Sequence, residues 1–115
     1  MDTTAAQLRW DGLIRRQGDR AVLRQNGVDR PISVSVQQEN AMERLGAASN
    51  PLDRMALISP LDPDTMLPLN PPPSERDVIV IVDDGGVTVL LKIVAPPDSM
   101  GASVRTLYWR VKVRA

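Results

Sequence analysis

The chain has no cysteine, no histidine and no phenylalanine in its 115 residues. Without cysteine there is no disulfide and no thiol nucleophile. Without histidine there is no imidazole general base, and structural zinc loses its usual ligands. Most hydrolytic chemistry is left without its customary residues, so a non-enzymatic role with no cofactor and no metal is expected. The missing cysteine fits a reducing compartment while leaving virion or secreted settings open. Aromatic residues make up only 3% of the chain. With Trp10, Tyr108 and Trp109 as the only large rings, the core must be built from Val, Leu, Ile and Met. No apolar run approaches the roughly 18 residues of a membrane span, and no basic segment followed by an apolar core stands near Met1, so neither span nor signal peptide is expected. Charge of one sign is not in excess either: 14 Lys plus Arg face 14 Asp plus Glu, which removes any overall pull toward nucleic acid or an anionic membrane.

A chain of this length suits one domain over 1–115 with a thin core, and a thin core makes burial against partner subunits an expectation. Thr4 and Gln7 match a capping box, in which each side chain satisfies the other's backbone donor at a helix start. Ala6, Trp10, Leu13, Ile14 and Gln17 then follow at helical spacing, with Arg9, Asp11, Arg15 and Arg16 elsewhere on the wheel and Gly18 as a C-terminal stop. This predicts a short amphipathic helix within 1–18 that plugs one side of a sheet or reaches a neighbouring subunit. Arg20 to Gln25 reads as a strand, and Asn26-Gly27 is a hairpin turn signal because both central positions of a type I′ turn need positive φ. In the next strand Ile32, Val34 and Val36 alternate with Ser33 and Ser35, the period of one buried and one wet face. The stretch 39–53 has room for a helical turn, and Met55 to Ser59 returns to a strand.

Pro60, Pro63, Pro68, Pro71, Pro72 and Pro73 punctuate the segment 60–76. It cannot donate regularly to a ladder and reads as a long surface loop, mobile in a free subunit. Asp77 to Val82 and Val87 to Val94 form a second hairpin around Asp83-Asp84-Gly85-Gly86. From Val104 to Arg114 the chain alternates again, Leu107, Trp109, Val111 and Val113 on one face, Thr106, Tyr108, Arg110, Lys112 and Arg114 on the other. The fold class that follows is mainly β: a small antiparallel barrel or sandwich of about six strands with a short N-terminal helix and a long Pro-rich loop.

The search for chemistry is short. Asp83-Asp84 and Asp62-Pro63-Asp64 are the close carboxylate pairs, yet neither follows a calcium-loop pattern, and acids beside Gly-Gly suit a solvated turn. Gly85-Gly86 does not continue into a phosphate loop. The serines have no imidazole, and no spacing pairs one with Lys92 or Lys112. Charge is nonetheless uneven. Between Asp53 and Asp98 acids dominate, whereas Arg105, Arg110, Lys112 and Arg114 follow Asp98 without an acid. Such polarity suits head-to-tail contacts between subunits. These residues alone reach an assembly module or a β-barrel interaction or nucleic-acid-binding module, although Tyr108 beside Arg110 is a small stacking platform for the latter.

Several stretches carry a resemblance: Gly18-Asp19-Arg20-Ala21-Val22-Leu23-Arg24, Glu43-Arg44-Leu45-Gly46, Asn50-Pro51-Leu52-Asp53-Arg54 and Leu57-Ile58-Ser59. The later ones are Pro72-Pro73-Ser74-Glu75-Arg76-Asp77, Leu91-Lys92-Ile93-Val94-Ala95-Pro96-Pro97 and Tyr108-Trp109-Arg110-Val111-Lys112-Val113-Arg114. In that order they resemble the head-tail connector proteins of tailed bacteriophages, the head-closure or stopper proteins of the neck. The resemblance implies a virion protein, made in the bacterial host cytoplasm, that forms a homo-oligomeric ring, sixfold or twelvefold. Portal or adaptor would lie above it and tail proteins below, with packaged DNA retained through non-specific contact and no membrane involved. Related adaptor and tail-terminator rings share the same size and β content. The resemblance brings no catalytic residues. It points to the loop, with Pro68, Pro71, Pro72 and Pro73, as a subunit or channel contact, and the uneven charge points to Arg105, Arg110, Lys112 and Arg114 for the same role.

Overall fold

The computed structural model describes residues 4–37, 53–82, 85–101 and 106–114. They form α1 (Ala5–Gln17), β1 (Asp19–Gln25), β2 (Val28–Gln37), β3 (Asp53–Ile58), β4 (Val78–Val82), β5 (Thr88–Ile93), β6 (Asp98–Met100) and β7 (Tyr108–Arg114). Six strands close an antiparallel barrel whose order around the wall is β1-β2-β3-β7-β5-β4. β3 and β7 pair from Asp53↔Arg114 to Ile58↔Trp109, and β4 returns to β1 through Val22↔Val80, Leu23↔Ile79 and Arg24↔Val78. Closure leaves the barrel wall without the long open edges that invite other strands. The short β6 resumes the edge of β5 after Pro96-Pro97 and pairs with the first half of β7. The sequence pattern does not announce it.

The closure follows from alternation. Inward positions hold Ala21 and Leu23, Ile32 and Val34, Ala56 and Ile58, Ile79 and Ile81, Leu91 and Ile93, Val111 and Val113, which form one buried aliphatic cluster. Each of the Val, Leu and Ile side chains among them contributes about 1.5 to 3 kcal/mol on leaving water. Trp109 packs on the cluster while half-buried. The Asn26-Gly27 turn has φ 49° and 82°, the geometry its sequence demands.

Three expectations need correction. The capping box at Thr4 forms, but α1 is turned on its axis. Its buried residues are Gln7, Asp11 and Ile14, whereas Ala6, Leu13 and Gln17 are exposed. The reason lies beneath it: α1 packs over β2 and β7, where Asp11 accepts from the Ser59 hydroxyl and Gln7 donates to the Thr106 carbonyl. For the same reason Ser33 and Ser35, expected in water, are buried. Gly18 ends α1 as the sequence leads one to expect, in an extended conformation with φ −125°. A Cβ there would stand 2.0 Å from the Val34 carbonyl oxygen, so the glycine serves close approach of backbone to backbone.

The Pro-rich stretch links β3 to β4, which are not neighbours, and carries the chain past β2 and β1. It is not a structureless loop. Leu61 and Pro68 form a bridge, and the amides of Asp62, Met66 and Leu69 donate to the carbonyls of Leu67, Asp62 and Pro60. Leu61 is fully buried and Pro73 is buried.

Candidate functional site

The outward face of β7 and β5 is basic. Alternation that sends Val111 and Val113 inward sends Arg110, Lys112 and Arg114 outward. Arg110 is exposed and stands opposite Asp98 of β6; Lys112 and Arg114 are half-buried. The register sets Lys92 directly opposite Arg114 on one side of β7, like charges that disfavour each other, and sets Asp53 of β3 opposite the same Arg114 on the other side. Val78, Leu90 and Val94 wall a shallow groove around these two cations. Arg105 lies outside the described residues, as do Asp83, Asp84 and most of 39–53.

Two of the excursion's prolines are held by side-chain donors of the barrel. Arg30 Nη1 donates to the Pro71 carbonyl at 3.1 Å, and Gln25 Nε2 donates to the Pro72 carbonyl at 3.0 Å. Gln25 Nε2 also reaches Asp77 Oδ2 at 2.9 Å, and that oxygen accepts from the Ser74 amide. Pro71 and Pro72 are thus held to β1 and β2, while Pro68 bridges Leu61 and Pro73 is buried. Asp62 serves the local turn: its Oδ1 accepts from the amides of Asp64 and Thr65. Asp64 pairs with Arg20, and Arg24 with Asp29. The Arg24 guanidinium holds the Asp29 carboxyl below the usual carboxylate range, so that pair persists until the pH falls below the ordinary carboxylate value. Both pairs are exposed and contribute little to stability.

Sequence reasoning missed one buried polar cluster. Ser59, fully buried just past β3, donates its hydroxyl to Asp11 Oδ1 at 2.5 Å, while Asp11 Oδ2 receives Arg15 Nε at 3.0 Å. Gln7 Nε2 donates to the Thr106 carbonyl, and Trp10 packs against Tyr108 with ring centroids 4.5 Å apart and planes tilted by 38°. The cluster is structural in its geometry: the serine's partner is a carboxylate already held by an arginine, and no lysine contacts it. Among the described residues no three carboxylates converge on a common point, and no buried side-chain polar atom lacks a partner. No family model, curated protein or solved structure matches the chain.

Proposed function

We propose that this barrel is a non-enzymatic structural subunit of a tailed-phage neck, in the head-closure position, working as a ring between head and tail in the virion. The observation that carries this reading is the basic outer face of β5 and β7. It is the one place among the described residues where like charges are set together across strands, and it lies on a barrel whose buried polar groups are otherwise spent on structural bonds. Such a face suits contact with the phosphate backbone of packaged DNA or with an acidic neighbour. The adaptor and tail-terminator rings of the same neck would use the same kind of surface. A single-stranded nucleic-acid module is disfavoured by the rings: Tyr108 packs against Trp10 and Trp109 packs on the core, so both are already engaged within the fold. Cryo-electron microscopy of the particle tests the proposal. Ring density at the head-tail vertex that accepts the barrel and its 59–77 excursion is the expected result; a neck built without such a barrel overturns it.

A further inference from the structure

The groove on β4, β5 and β7 combines two features that call for a specific occupant. Its walls, Val78, Leu90 and Val94, are apolar, and Leu90 is 52% exposed. Its cations, Lys92 and Arg114, face each other across the strand pair; Arg114 is already engaged, whereas the Lys92 ammonium makes no hydrogen bond or ion pair among the described residues. A ligand that fits it carries carboxylates beside an aliphatic side chain.

The chain itself presents that chemistry elsewhere. At the tip of the excursion Leu67 is 54% exposed between Asp62 and Asp64 on one side and Pro68 on the other. Asp62 Oδ2 and Asp64 Oδ2 accept no hydrogen bond among the described residues; only the Oδ1 atoms are engaged. The tip is held in shape in advance of any contact. Asp62 and Leu67 are joined by a backbone bond of 2.8 Å, Leu61 bridges Pro68, and Arg15 grips the Pro63 carbonyl. An ordered tip loses little further conformational freedom on docking.

Tip and groove of one chain lie apart. The tip is tied to α1 through Arg15 and to β1 through Arg20, with Asp64 beside Val80 and Val82 in the second half of β4, whereas the groove opens at Val78, the first residue of β4, and on β5 and β7. We infer that the acidic, leucine-bearing tip at Asp62–Leu67 docks in the Lys92–Arg114 groove of a second copy of this chain. Asp64 exchanges or shares its exposed contact with Arg20 for Lys92, and Leu67 covers Leu90. Because the two faces differ, the contact is head-to-tail and leaves a free tip and a free groove at the ends. This deepens the ring reading by naming its subunit contact and rests on that reading for closure of the ring alone.

Sedimentation velocity on the purified chain tests it with two charge reversals, Asp64→Lys and Lys92→Glu, both at exposed positions, with folding checked by thermal melts. The wild-type chain should gain mass with concentration and lose it with added salt. Each variant alone should associate at least about tenfold more weakly, since like charges then meet at every contact. An equimolar mixture should recover association, because one contact is then native and the next has both charges reversed. A wild-type chain that stays monomeric, variants that associate like wild type, or a mixture that fails to recover would each overturn the inference. None of these outcomes depends on a particle, so failure here is separable from failure of the neck reading.

Discussion

Gly12 and Gly18 belong to the same N-terminal segment, yet their surroundings demand opposite things. Around Gly12 an added Cβ would meet nothing within 4 Å; at Gly18 it would meet the Val34 carbonyl oxygen at 2.0 Å and two further backbone atoms of β2 under 3.0 Å. Backbone in a ladder cannot step aside as a flexible side chain can. Gly18→Ala should therefore destabilise by about 1 to 3 kcal/mol, as overpacking does, and lower the melting temperature by about 5 °C or more. Gly12→Ala should raise it, since alanine in a helix interior is favoured over glycine by about 1 kcal/mol. Thermal melts of the two variants read opposite signs if the close approach at Gly18 is correct, and equal small shifts would contradict it.

At the scale of the element, α1 separates what periodicity reports from what it leaves out. Periodicity finds the helix and its capping box. It orients the wheel by hydrophobicity, which placed Leu13 inward and Asp11 outward, and the structure reverses both. Ser59 and Thr106, the groups that draw Asp11 and Gln7 inward, lie 48 and 99 residues away in sequence, beyond the reach of any local pattern. The same limit explains Ser33 and Ser35: alternation distinguishes the two faces of β2 but not what covers the outer one. Signals contained within a few residues were legible, among them the Asn26-Gly27 turn, the inward Val111 and Val113, and the outward cations Arg110, Lys112 and Arg114. The pairing of Lys92 with Arg114 was not, because register between β5 and β7 is set by barrel closure. Asp11→Ala should cost about 1 to 3 kcal/mol, since it leaves the buried Ser59 hydroxyl without its acceptor and Arg15 without its anion. Leu13→Ala, on the exposed side, should stay within about 0.5 kcal/mol. Urea midpoints for the two variants decide which face of α1 is docked, and a larger loss for Leu13→Ala would restore the hydrophobic orientation.

For the whole molecule, stability and interaction are divided between the two faces of one wall. The aliphatic cluster inside the barrel needs none of the cations outside it, and β7 serves both, pairing with β3 along its length while carrying Arg110, Lys112 and Arg114 outward. Changing those three together to Gln keeps the stems that cover the wall and removes charge alone. Surface changes of this kind cost little, so the triple variant should melt within a few degrees of wild type. Its interactions should fail all the same. With Lys92 the last cation on that face, phosphate contacts lose most of their counterion release, and an acidic neighbour loses most of the field that orients it. On the proposed neck role, complementation of a particle lacking the wild-type chain should then yield heads that leak DNA or lack tails, despite normal levels of folded variant. Tailed particles that retain DNA in the presence of the triple variant would reduce the basic face to a solvated wall, and the subunit contact would have to be sought on the β1 and α1 side of the barrel.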